Sequence, residues 1–215
     1  MNDVLLSGAL DASEKGRIRQ DNEAIILPAA EQVFARYGFR GATMQQIADA
    51  AALPKANLHY YFGNKQTLYL RVLENILHDW LSPLEAISAR ADPKTALAEY
   101  VGRKITFSFS RPAASKLFAN EILQGAQVVH PLLKRDLRQL VAEKAHILDG
   151  WIAAGKLRTL DTTHFFFSVW SMTQTYADFD IQIAAVSGEE MTSEAAQTRA
   201  TAHVLSSVWR ICGLE

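Results

Sequence analysis

Between Gly41 and Lys65, apolar residues that must be buried alternate with polar ones left on the opposite side of the same short helices. Thr43, followed three residues later by Gln46, has the form of a capping box and starts a helix whose Met44, Ile47, Ala48 and Ala51 share a face. Ala52-Leu53-Pro54 interrupts that helix, and Pro54 suits the first position of another, running through Leu58 to about Tyr61. With Leu53, Leu58 and Phe62 turned inward, the outer side carries Ala56, Asn57, His59 and Tyr60, which would face base edges in a major groove. Thr43 and Lys65 stand at helix N-termini, where free N–H groups and the helix dipole attract phosphate. Arg40, Met44, Lys55 and Tyr61 complete the candidate contact set; core packing is the lesser, competing reading of Tyr60 and Tyr61, with the Tyr61 hydroxyl still reaching a phosphate. Phosphate contacts of this kind position a protein on duplex DNA, and base contacts specify the sequence.

A second polar group stands amid apolar surface. Phe166, Trp170 and Gln174 recur every four residues and so share one stripe of a helix. An unsatisfied buried carboxamide costs on the order of 1–3 kcal/mol, so Gln174 must bond to backbone, to water or to a ligand. Its adjacent acceptor and donors complement the N–H and C=O edge of a pyrimidine, whose faces Trp80 and Trp170 could cover; plain core packing is the competing reading of both tryptophans. Phe118 and Tyr176 are further pocket candidates, better suited to core or dimer surface. Catalysis is not expected: Glu121 with His130, or Asp178 with His203, have no motif spacing and no nucleophile at a sharp turn. Cys212 is a lone thiol and the six histidines are scattered, so neither a metal nor a cofactor is expected.

The elements that must position these groups are all helices. Residues 1–20 lack apolar periodicity and carry the basic cluster Lys15-Gly16-Arg17-Ile18-Arg19, which predicts a mobile arm. Ile26, Ala30, Val33, Phe34 and Tyr37 predict an amphipathic helix stopped by Gly38, with Pro28 expected to bend it or delay its start. After Gly63-Asn64 the stripe Tyr69, Leu73, Ile76, Leu77, Trp80 and Leu84 predicts a fourth helix of six or seven turns. Pro93, Pro112 and Pro131 each open another helix, with Gly125 and Gly155 near helix ends. Asp161 caps a helix whose Phe165-Phe166-Phe167-Ser168-Val169-Trp170 is apolar on every side and should be buried all round, and Ser193 caps the last. The expected architecture is all-α, about nine helices, divided into an arm (1–20), a three-helix head (21–64) and a larger helical body (65–215).

Composition is compatible with this. Of 215 residues, 49% are hydrophobic and 21% charged, enough to bury a core without disulfides or metal. The longest apolar run falls far short of the roughly 20 residues of a membrane helix, and no leader follows Met1, so a cytoplasmic address is expected. The net charge of −1 hides an asymmetry: Lys15–Lys65 holds seven basic residues against four acidic ones, a local excess suited to phosphate at one end of the chain.

The Gly41–Lys65 block resembles the helix-turn-helix of the TetR family, with Thr43, Ile47-Ala48, Ala52-Leu53, Leu58, Tyr61-Phe62 and Lys65 in the family pattern and His59 departing where Tyr is usual. Within the family, the body is similar to a narrower group of uracil-responsive pyrimidine-utilisation repressors, through Leu77-His-Asp-Trp-Leu-Ser-Pro-Leu84, the run Ser115–Ala126, Gly150–Leu157 and Trp170–Phe179. The resemblance implies a regulator that binds double-stranded operator DNA as a homodimer, joined by the helices after Asp161 and Ser193, and that a small-molecule effector releases. Paralogues with other ligands share the pattern, so an unrelated effector is the alternative, and a helical protein-interaction module without DNA binding is a remote one.

Overall fold

A computed structural model describes the backbone of residues 3–214 and the side chains of 17–214. Every regular element among the described residues is helical, and no helix is long and apolar enough to cross a membrane. The chain divides into two compact units, residues 1–73 and 74–215.

The first unit is built on α1 (Asp3–Gly41), α2 (Met44–Ala50), α3 (Lys55–Phe62) and the beginning of α4 (Lys65–Leu81). The backbone is helical from Asp3, across the segment expected to be an arm, and side chains before Arg17, Lys15 among them, lie outside the described residues. Pro28 neither ends nor delays the helix: Ile26, Ala29, Ala30, Val33 and Phe34 are buried on both sides of it, so packing overrides the lost N–H. The break comes at Gly38 (φ 67°, ψ 171°), a left-handed conformation that glycine adopts without Cβ strain and that turns the chain toward α2. The capping box is complete, with Gln46 N donating to Thr43 Oγ1 at 3.2 Å and Thr43 N donating to Gln46 Oε1 at 2.8 Å. Pro54 sits at the N-cap, one position earlier than the sequence suggests, and α3 ends at Gly63 (φ 72°). Ile47, Ala48, Leu58, Phe62 and Phe34 form the core with Leu68 and Tyr69 of α4, whose ring meets Phe34 edge-on at 4.9 Å. Because these first turns of α4 complete that core, the contact boundary falls inside α4 and not at the turn before Lys65.

In the second unit α4 ends at Leu81, shorter than expected, because Pro83 tightens the chain into a 3-10 turn (Ser82–Ala86). Then come α5 (Pro93–Ser110), α6 (Pro112–Leu123), α7 (His130–Leu132), a π-helical turn (Leu133–Leu137), α8 (Arg138–Ala153), α9 (Thr162–Asp178), α10 (Asp180–Ser187) and α11 (Glu194–Cys212). The π turn joins α7 to α8 in one run, so the helix count exceeds expectation by α10 alone, which lies in the link between α9 and the last helix. Helix α5 packs against α9 and α11, and α6 and α8 against α9. Asp92, Asp161 and Ser193 each accept a backbone N–H from three residues later, from Thr95, His164 and Ala196, capping α5, α9 and α11. Leu97, Tyr100, Val101, Ile105, Leu148, Trp151, Phe165, Phe166, Val169, Val204 and Val208 make the core. The expectation that α9 is buried on all sides does not hold within one chain: Phe165, Phe166 and Val169 are enclosed, but Phe167 is 47% exposed. Five neighbouring helices cover only one side of α9 in a single chain.

Candidate functional site

Helix α3 is too short to be held by its own hydrogen bonds and is fixed by Leu58 and Phe62, which point into the first unit's core. That leaves Lys55, Ala56, His59 and Tyr60 exposed, Tyr60 at 82%, and Asn57 half-buried. His59 Nδ1 donates to the Gly63 carbonyl at 2.9 Å, closing the C-terminus of α3, so its ring is tied down with Nε2 outward. The Tyr61 hydroxyl accepts from Asn22 Nδ2 at 3.1 Å and its ring meets Tyr60 edge-on at 5.0 Å; half-buried, it combines the packing role with a hydroxyl that keeps its own proton to donate. Thr43 and Arg40 are exposed. Met44 is corrected by its burial, and Lys65 carries a structural bond as well as any phosphate contact. Met44 is buried, because as the first residue of α2 it shares the inward face of Ile47 and Ala48. Lys65 is half-buried, its Nζ donating to the Ala42 carbonyl at 2.9 Å and lying 4.7 Å from the centre of the Phe39 ring, so it joins α4 to the loop before α2, and only its remaining N–H groups face outward.

The second unit holds a partly open cavity of about 680 Å³. Trp80 of α4, Phe118 of α6, and Trp170 and Gln174 of α9 all line it. Phe118 lies 5.2 Å from Trp80, and Trp170 is held by its Nε1, which donates to the Tyr100 hydroxyl at 2.9 Å. Tyr176 is not in the wall: two residues on from Gln174 it points elsewhere and packs on Phe109 at 5.8 Å. Leu77, Leu81, Leu133 and Leu137 make much of the remaining surface apolar, the last two from the ends of the π turn.

Four polar residues in the wall are not among the pocket residues expected from the sequence: Lys104, Lys116, Asn120 and Asp178. Asp178 continues the stripe Phe166-Trp170-Gln174 by one further step of four, and Lys104 falls on the apolar stripe Leu97-Tyr100-Val101-Ser108, so both could have been read as inward-facing from their spacing. Burial pulls the Lys104 ammonium down to about 8, partly offset by the field of Asp178. Burial likewise pushes the Asp178 carboxyl above its ordinary range, against the hydrogen bond that Ser115 Oγ donates at 2.5 Å and the charges of Lys116 and Lys104. Cys212 is buried and its thiol is pushed up to about 12, which leaves it unreactive. No group of three potential metal-binding side chains occurs among the described residues.

Comparison with known proteins agrees with this division. The tetR-family model of bacterial regulatory proteins matches residues 26–72, and the model of the YcdC-like C-terminal region matches 73–215. The chain belongs to the TetR family. It is 39% identical over 191 residues to the HTH-type transcriptional regulator RutR of Escherichia coli, covering 88% of this chain and 90% of that one. It is 31% identical to the HTH-type transcriptional repressor NicS of Pseudomonas putida, over 70% of this chain and 73% of that one. Among solved structures, a tetR-family regulatory protein from Rhodococcus superposes with a TM-score of 0.70 at 18% identity, over 89% of this chain and 96% of that one, a likeness of fold. This TetR-family chain is thus a transcriptional regulator close to RutR, with an all-α fold carrying the family's helix-turn-helix.

Proposed function

We propose that this TetR-family regulator is a repressor that binds duplex operator DNA as a homodimer and is released by a small molecule held in the second unit's cavity, a pyrimidine such as uracil or one of its breakdown products. The observation that carries the DNA reading is the outer side of α3, where Lys55, Ala56, Asn57, His59 and Tyr60 stand together clear of the core. Arg40 and Thr43 would hold phosphates, and the N–H groups that Lys65 does not spend on Ala42 would add to them. The ligand reading rests on Gln174, whose carboxamide meets no hydrogen-bond partner among the described residues and which lines, with Trp80 and Trp170, an otherwise largely apolar cavity. Dimerisation is supported by apolar side chains left in water by one chain, Phe167 of α9 with Phe179, Ile181 and Val186 in and before α10. No catalytic step enters, and the protein would act on the nucleoid in the cytoplasm.

Release follows from a population shift: the effector favours dimers whose two α3 helices are wrongly spaced, and it displaces them only by its differential affinity for that state. Helix α4, with Lys65 near one end and Trp80 near the other, is the element that would carry the change. An unrelated effector is the second reading, favoured by a cavity roomier than one pyrimidine ring. A thermal-shift screen of nucleobases and their degradation products decides between them. A binder present at 100 times its Kd adds about 2.7 kcal/mol of stability; a shift with uracil or a dihydropyrimidine is expected, and a screen silent for all pyrimidines contradicts the ligand assignment.

A further inference from the structure

Of the lysines buried in the second unit, one stands apart. Lys144 donates to the Ile87 carbonyl at 3.1 Å and lies 3.6 Å from Glu143. Lys116, half-exposed in the cavity wall, is neutralised by Asp180 at 2.7 Å. Lys104 is 4% exposed, has neither an ion-pair partner within 4.0 Å nor a hydrogen-bond acceptor among the described residues, and its Nζ rests 4.9 Å from the centre of the Trp80 ring. Asp178, whose field reaches it, already accepts from Ser115. Taking an ammonium out of water without an acceptor costs several kcal/mol even when a ring face returns part of it. The same wall contains the Trp80 indole N–H, buried without an acceptor, and the unpartnered Gln174 carboxamide.

Lys104 and the Trp80 indole thus bring to this wall two donors for which the described residues supply no hydrogen-bond acceptor. Resting on the reading of the cavity as an effector site, we propose that Lys104 fixes the effector by donating to one of its exocyclic oxygens, so that the ligand class is a small planar ring bearing an exocyclic carbonyl. In a space larger than one ring, apolar walls alone leave the pose undefined; an amide and an ammonium together define it. The charge of Lys104 makes this the stronger of the two anchors, because hydrogen bonds from an ionised donor are about twice as strong as neutral ones.

The test uses the full-length protein with uracil and 5,6-dihydrouracil as probes in a thermal-shift titration. Lys104→Met keeps the length of the side chain and removes the charge. The expected result is an unliganded melting temperature equal to or above that of the wild type, with affinity for both probes reduced at least tenfold. Lys104→Gln, which retains a neutral donor, is expected to recover part of that loss, and it decides the matter if the methionine variant does not fold. Wild-type shifts that persist unchanged in both variants overturn the role of Lys104 while leaving the cavity as the effector site. A lower unliganded melting temperature with unchanged affinity would mean a purely structural lysine and also overturns it. If the wild type itself responds to neither probe, the pyrimidine reading fails, and the proposal with it.

Discussion

Lys104 and Asp178 share a cavity and are shifted by the same cause in opposite senses, and the signs have consequences for stability. Burial lowers the Lys104 ammonium to about 8 in the folded chain, against an ordinary lysine value of about 10.4 when unfolded. Between those two values the unfolded chain holds more protons than the folded one, so the Lys104 contribution to stability rises with pH through that window; below about pH 8 its penalty, roughly 3 kcal/mol, applies in full. Asp178 is raised, again by burial first, so the folded chain keeps its proton longer and stability falls as pH climbs through the carboxylate range. Melting temperatures of the wild type and Lys104→Met, followed from pH 7 to 10, are expected to converge as pH rises; a gap that does not change with pH contradicts the burial of a charged Lys104. The sequence shows these residues but not this state. Their inward spacing is legible, whereas Asp180 pairing with Lys116, leaving Lys104 without a carboxylate, follows only from how α6, α9 and α10 pack.

At the scale of elements, legibility tracks the strength of the local signals. The capping box at Thr43 and the glycines at 38 and 63 fix their own helix ends by backbone chemistry, so α2 and α3 lie where their residues place them to within a position or two. Pro28 misleads because burial on both sides outweighs one lost hydrogen bond, and Pro83 matters more than expected because the apolar stripe of α4 continues past the helix itself, as Leu84 in the 3-10 turn. Helix α10 is invisible to periodicity: Ile181, Ile183, Ala184, Ala185 and Val186 surround it with apolar groups and leave no polar side to mark a face. The cap at Thr43 gives a clean test, since its side chain is exposed and its hydrogen bonds go to Gln46. Thr43→Ala is expected to lower stability by about 1 kcal/mol, read by urea denaturation with an unchanged slope. An unaltered midpoint would mean that the box contributes nothing to holding α2.

At the scale of the molecule, the division at Leu73/Glu74 separates two kinds of chemistry, an exposed polar helix side in one unit and a largely apolar, partly open cavity with a few polar groups in the other. Net charge conceals this, because a small basic excess before Lys65 is cancelled along the rest of the chain. Coupling the two units requires a dimer with two arrangements, and the apolar groups one chain leaves in water around α9 and α10 are where a second copy would gain most. The most direct measurement is selection of bound sequences from a random duplex pool by the purified protein, with and without uracil, followed by the same selection with Asn57→Ala. The account predicts enrichment of an inverted repeat whose half-sites lie about one helical turn apart or a multiple of it. It further predicts loss of that enrichment when uracil is present, and a weakening of about 1–3 kcal/mol at one base pair per half-site in the variant. A pool that emerges with no preferred sequence, or with a preference indifferent to both the ligand and Asn57, would contradict it.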